Sequence, residues 1–280
     1  MSENENTPLE GGSSKLGVIA DLAKTIPIYQ DALQPMMQET GKALSVIGRS
    51  VNVALAPIRG LVWGAEKVEE WLCTTVAEKM KKVPAENIVS PDLSIAGPTI
   101  EALKFSGHKP ELASMFASLL AGAMQIDLRD KVHPSFVEKI KLMTPFEAMV
   151  FKEIAGYIAM PTIDISSVTP NIDGSNRIIR FFNPKFFEIA QSLSIPPANI
   201  LDFIQSATVN LDGLGLVEFQ QGLKLTSPEN EVKYLEIIDG ELCRAFAARN
   251  VTDVMSHLFE RSYVRITKLG EHFNAIVNAA

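Results

Sequence analysis

Four prolines in the middle of the chain restrict its fold more than any other sequence feature. Pro98, Pro110, Pro134 and Pro145 each stand where a helix is expected to start. Proline suits the first helical position because its φ angle is fixed near the helical value and its missing N–H needs no partner there. The spacing therefore predicts short helices that form a compact core over residues 84–159.

Two further patterns strengthen this prediction. Thr144 and Glu147 have the spacing of a capping box, in which each side chain binds a free backbone N–H at a helix start. The helix predicted over Pro110–Gln125 carries apolar residues at the i, i+3, i+4 and i+7 spacing of a buried face. The small residues on and beside that face, which allow neighbouring helices to approach closely, are Ala113, Ala117, Ala121 and Gly122.

The N-terminal part divides into a tail and a helical region. Residues 1–14 are polar and acidic and predict a disordered tail. Residues 15–83 predict amphipathic helices, of which the segment 41–63 is the most ambiguous. Arg49, Asn52 and Arg59 argue against a membrane span, because each Arg near the bilayer centre costs about 2.5–3.5 kcal/mol. The apolar face of this helix then meets either the protein core or a membrane surface.

A candidate interaction surface lies at the end of this region. Tryptophan buries a large area and offers one N–H, so two tryptophans near each other on a helical pattern indicate a core or a subunit interface. We expect this surface to bind another protein or a second copy of the chain, with a membrane interface as the alternative. Its residues are Leu55, Ile58, Arg59, Trp63 and Trp71.

Residues 160–280 predict a winged-helix-like α+β domain. The pattern gives a loop with one or two short strands over residues 160–180, and then two helices, a strand, a mostly helical passage from Pro228 to about Phe259, a second strand and a terminal helix. The two strands predicted over residues 216–219 and 263–266 would pair as the wing. The fold class is therefore mainly α, with an α+β part at the C-terminal end.

Charge argues against the DNA-binding function that a winged helix suggests. The helix before the first wing strand, residues 197–212, contains Asp202 and Asp212 but no Lys or Arg. The whole chain has 33 acidic and 26 basic residues, a net charge of −7. Because phosphate neutralisation supplies much of the affinity for DNA, we expect nucleic acid not to be the partner.

The residues that could carry chemistry show no catalytic or metal-binding spacing. His108, His133, His257 and His272 lie far apart in sequence, and His133 is placed to cap the helix after Pro134. Cys73 and Cys243 stand alone in apolar patterns and predict buried thiols in a reducing compartment. We therefore expect no enzyme activity, no cofactor and no metal.

Several motifs resemble one known family. The runs that carry the resemblance are residues 59–64 (RGLVWG), 87–91 (NIVSP), 95–98 (IAGP), 101–103 (EAL), 107–108 (GH), 115–121 (MFASLLA), 133–138 (HPSFVE) and 267–273 (TKLGEHF). They are similar to the Abi-alpha family of bacterial proteins, which are associated with abortive phage infection. The resemblance implies a role in phage defence, and it brings no known catalytic or binding residues with it.

The start of the chain has no basic and apolar segments of the kind that a secretory signal requires. We expect a cytoplasmic protein, with the surface of the inner membrane as a second possible location if the segment 41–63 binds lipid.

Overall fold

The structure is a computed structural model that describes residue 53 and residues 66–168, 177–244 and 256–278. Most of the region predicted as tail and amphipathic helices lies outside these residues. The helices are α1 (Glu66–Lys79), α2 (Leu93–Ser106), α3 (Pro110–Ala123), α4 (Ser135–Lys141), α5 (Pro145–Ala155), α6 (Pro184–Ser192), α7 (Ile200–Gly213), α8 (Pro228–Asp239) and α9 (Lys268–Val277). The strands are β1 (Met160–Val168), β2 (Arg177–Phe182), β3 (Val217–Gln220) and β4 (Ser256–Ile266). The described part is thus mostly helical with a small antiparallel sheet near its C-terminal end, as predicted.

Helix α3 lies at the centre of the helical part. Every residue from Met115 to Ala123 is buried, because α1, α2, α4, α5 and α9 all pack around this helix. A Cβ atom at Gly122 would lie only 3.3 Å from the Ile276 side chain of α9, so the small residue permits this close packing. Phe273 of α9 adds edge-on ring contacts at centroid distances of 5.3 Å to Phe136 and 5.4 Å to Phe151.

We call the apolar cluster around α3 the large core. It extends from Leu72 in α1 to Val277 in α9, and it also includes Met160 of β1 and Val264 of β4. The predicted helical core and the C-terminal part thus both contribute side chains to it.

The predicted helix starts are confirmed except at Pro98. Pro110 and Pro145 begin their helices, and the capping box is present at Thr144. Pro134 directly precedes α4. Pro98 lies well inside α2, so its assignment as a helix start is wrong. The helix begins earlier because the Asp92 carboxylate accepts a hydrogen bond from the Ser94 N–H at 2.7 Å, which supplies a stronger start signal.

The described strands form a sheet in the order β2–β1–β4–β3, and each pair is antiparallel. The predicted pairing of the wing strands is confirmed, with Val217 opposite Ile266 and Gln220 opposite Tyr263. The helical passage predicted to about Phe259 is wrong at its end, since β4 already begins at Ser256. Pairing with β1 on one side and β3 on the other overrides the weak strand propensity of the charged residues in β4. The order of elements is compatible with a winged helix, which stays a prediction.

A second, smaller apolar cluster packs between α8 and the sheet. We call it the small core, and its buried residues are Ile163, Ile165, Phe182, Tyr234, Ile237 and Cys243.

Buried polar residues lie on the opposite face of β1 and β4, because side chains alternate along a strand. This polar layer consists of Thr162, Asp164 and Ser262. The Ser262 hydroxyl donates to the Asp164 carboxylate at 3.1 Å and accepts from the Gly222 N–H at 3.1 Å. The Tyr234 hydroxyl donates to the Ser262 carbonyl at 2.7 Å, which joins the polar layer to the small core.

Candidate interaction surface

Helix α7 directly precedes β3, the first of the two strands predicted to form the wing. Its inward side chains Ile204, Ala207 and Leu211 are spaced at i, i+3 and i+7 and are buried in the large core. Two hydrogen bonds from the α4 region hold its C-terminal half. The Lys139 ammonium donates to the Leu214 carbonyl, and the Asn210 amide donates to the Leu142 carbonyl at 2.9 Å. The helix is therefore held in place along one side.

The opposite side of α7 is exposed and combines apolar and acidic residues. Phe203 is 41% exposed and packs edge-on against Phe146 at a centroid distance of 6.3 Å. Val209 is 74% exposed. We call this side the α7 face, and its exposed residues are Asp202, Phe203, Ser206, Val209 and Asp212.

The chemistry of the α7 face suits a protein partner better than a nucleic acid. The two carboxylates would repel phosphates, and the helix contains no Lys or Arg to attract them. An exposed aromatic ring such as that of Phe203 is of a kind enriched at the centre of protein–protein interfaces. The charge of this helix is evident from the sequence, whereas helical spacing groups Phe203 with the buried residues Ile200, Ile204 and Ala207. The ring lies at the edge of this buried stripe, where helical periodicity does not distinguish a buried residue from a half-exposed one.

Of the predicted interaction surface, only Trp71 belongs to the described residues. Leu55, Ile58, Arg59 and Trp63 lie outside them. Trp71 is 37% exposed and shares the outer side of α1 with Thr74 and Glu78, whereas Leu72 and Val76 face the large core. The structure thus places a large indole ring at the surface, in the first half of α1.

The side chains of three histidines are described. His108, His133 and His272 are all exposed. The His133 Nδ1 accepts a hydrogen bond from the Ser135 N–H at 3.1 Å, which confirms its predicted capping role. Among the residues of known placement, no three His, Cys, Asp or Glu side chains come together in a way that could hold a metal ion.

The two cysteines form no disulfide. Cys73 is half-buried in α1, and Cys243 is fully buried in the small core. Burial, with a smaller contribution from the nearby Asp239 carboxylate, raises the pKa of the Cys243 thiol to about 11. Cys243 is therefore a protonated, inert thiol at neutral pH.

Across the described ranges, no helix has both the length and the apolar content needed to cross a membrane.

The fold and the surface define a class of protein: a mostly helical chain with a C-terminal antiparallel sheet, which presents an acidic and apolar helix face. The family model for abortive infection alpha matches residues 64–277, and the chain belongs to this family, Abi-alpha. The matched range begins just before α1 and ends with α9, so it covers both cores. No curated protein and no solved structure matches the chain.

Proposed function

We propose that this Abi-alpha protein takes part in abortive infection as a non-enzymatic component that binds another protein or further copies of itself. Family membership supports the biological context. The exposed α7 face, with Phe203, Val209 and two carboxylates, is the observation that supports binding.

The α7 face is suited to association for a physical reason. The helix is fixed against α4 and the large core, so a partner would meet a preorganised surface and would lose little entropy in ordering it. The apolar side chains would gain from desolvation, and Asp202 and Asp212 would select a partner with a basic rim. Trp71 on α1 offers a second anchor of the type found in protein interfaces.

The proposed role in abortive infection is tested by infecting bacteria that carry or lack the gene with phage. Across a broad panel of phages, we expect the gene to lower the phage yield and to reduce the survival of infected cells. An unchanged yield and unchanged survival with every phage would contradict the proposed role.

The binding surface is tested with a matched pair of variants. Val209→Glu places a charge in the α7 face, whereas Val232→Glu places the same charge on the exposed side of α8. Both positions are helical and solvent-facing, so we expect both variants to fold. Only Val209→Glu should lose phage protection.

The same pair of variants separates self-association from binding to another protein. If the wild-type protein is oligomeric by sedimentation at high concentration, Val209→Glu should shift it towards monomer and Val232→Glu should not. A monomeric wild type that still needs Val209 for protection would favour a different protein as the partner. Equal protection by both variants would remove the α7 face from the proposal.

A further inference from the structure

A cleft between α1, α3 and α9 has the features of a small-ligand site. Its volume is about 300 Å³, and its lining includes Lys79, Lys82, Ser118 and Gln125 together with apolar side chains such as Val83 and Leu128. This volume is at the lower end of the range for small-molecule pockets. It is distinct from the α7 face, with which it shares no residue.

The Ser118 hydroxyl is an unsatisfied group in this cleft. Ser118 is 3% exposed, and its Oγ has no hydrogen-bond partner among the residues that the structure describes. Leaving a buried hydroxyl without a partner costs free energy, so a buried group of this kind usually has one. A ligand oxygen bound in the cleft would supply it.

The charge of the cleft identifies the kind of ligand. Lys79 and Lys82 both line it, and none of its lining residues is acidic. The nearest acidic residue in sequence, Glu78, is paired with Lys81. Burial, and then the neighbouring Lys152 ammonium, lower the pKa of Lys79. Positive charge is thus concentrated in the cleft, with no counter-ion among the residues whose placement is described, in a chain whose net charge is −7.

The walls of the cleft are fixed by the surrounding backbone. The Val89 N–H donates to the Met124 carbonyl at 2.8 Å, and the Ile126 N–H donates to the Asn87 carbonyl at 3.1 Å. These bonds tie the segment after α1 to the end of α3. The site is therefore formed before any ligand binds, which lowers the entropic cost of binding.

We infer that this cleft binds a small phosphate monoester. The two ammonium groups bind the phosphate oxygens, the Ser118 hydroxyl donates to one of them, and the apolar side chains hold the organic part of the ligand. An anion in the cleft also favours the charged form of Lys79, which is partly desolvated in the empty site.

The inference is tested by calorimetric titration of the full chain with phenyl phosphate, which combines a phosphate with an apolar ring. We expect Lys82→Met to weaken binding about tenfold, since hydrogen bonds to charged groups contribute about 1.5–3 kcal/mol. Ser118→Ala should also weaken it about tenfold, because a hydroxyl that donates to a phosphate oxygen makes a hydrogen bond to a charged group. The matched control is Lys233→Met, which removes the same charge from an exposed lysine of α8, outside the cleft, and should leave the affinity unchanged.

Three further probes define the ligand class. Benzoate carries a carboxylate on the same ring, inorganic phosphate lacks the ring, and phenol lacks the anion. Each should bind more weakly than phenyl phosphate. A higher affinity for benzoate or phenol would overturn the assignment to phosphate monoesters. The site itself would be refuted by an absence of binding at about 10 mM phenyl phosphate, or by wild-type affinity in both folded cleft variants.

Discussion

The large core and the sheet region bury their side chains in different ways. Around α3, packing is mainly apolar, and five helices surround the central helix with small, aliphatic and aromatic side chains. In the sheet, the small core is joined to a polar layer in which a hydrogen bond links Asp164 and Ser262, from strands far apart in sequence. The first region depends on complementary shape, and the second depends also on the exact strand register.

This difference predicts how each region responds to a substitution. Apolar contacts are numerous and individually weak, so a loss in the large core scales with the volume removed. Hydrogen bonds in the polar layer are few, and each lost partner leaves a buried group unsatisfied. Four measurements of stability distinguish the loss of apolar volume from the loss of hydrogen-bond partners.

Phe116→Ala should lower the free energy of unfolding most, by about 3–5 kcal/mol. Phe116 is fully buried in α3, and its removal leaves a cavity that the surrounding helices can fill only in part. The measurement is urea denaturation. Phe105→Ala is the control, because that ring is 74% exposed and its loss should change stability by less than about 0.5 kcal/mol. Similar losses for the two variants would contradict the central position of α3.

Tyr234→Phe should cost about 1–3 kcal/mol, although it removes a single oxygen atom. The hydroxyl donates to the Ser262 carbonyl at 2.7 Å and accepts from the Leu225 N–H at 3.1 Å, so both groups would lose this partner. Tyr157→Phe serves as the comparison, since its hydroxyl meets only the Glu153 carboxylate at 3.3 Å in a half-buried position. If both variants were as stable as the wild type, the polar layer would not depend on its hydrogen bonds.

Thr144→Ala should cost about 1 kcal/mol through loss of the capping box of α5. The effect is local, because the Thr144 hydroxyl satisfies one backbone N–H at 3.2 Å. Lys109→Ala at the corresponding position of α3 is a suitable control, since its side chain makes no capping hydrogen bond. Thermal unfolding of the two variants compares them directly, and an equal shift in Tm would argue against the cap.

At neutral pH the ionisation of Cys243 should have the smallest effect on stability of the four, because its contribution changes only at alkaline pH. Its thiol pKa is raised from the ordinary value of 9.0 to about 11 because the small core disfavours the thiolate. The resulting stabilisation is fully present below pH 9.0 and is lost as the pH rises through about 11. At pH 8 only about one thousandth of this thiol is ionised, so alkylation by iodoacetamide should be very slow and should accelerate with pH.

A Cys73→Ser variant isolates the Cys243 signal in this experiment. Rapid labelling of that variant at pH 8, under conditions in which it stays folded, would show that the small core admits solvent.

The parts of the fold that depend on local signals could be predicted from the sequence. The helix starts at Pro110 and Pro145 and the capping box at Thr144 depend only on residues a few positions away. The apolar spacing in α3 corresponds directly to which of its side chains are buried. The start of β4 was missed because its strand conformation comes from pairing with β1 and β3. The burial of Asp164 was also missed, since only the strand register brings Ser262 within hydrogen-bonding distance of it.

The two candidate sites also differ in how far the sequence alone could predict them. The acidic character of α7 is visible in the sequence, and only the exposure of Phe203 and Val209 had to come from the structure. The cleft had no signal of its own, because Lys79, Ser118 and Ile276 belong to three helices and meet only in the folded molecule.

The position of β4 in the sheet also affects the order of events during folding. β4 and α9 are the last described elements along the chain, yet β4 lies between β1 and β3, and Phe273 of α9 packs inside the large core. Contacts between residues so distant in sequence form slowly, because a long loop must close first. During synthesis on the ribosome, neither the sheet nor the large core can be completed until residues 256–277 have emerged. We therefore expect the protein to acquire its native structure late and in one cooperative step.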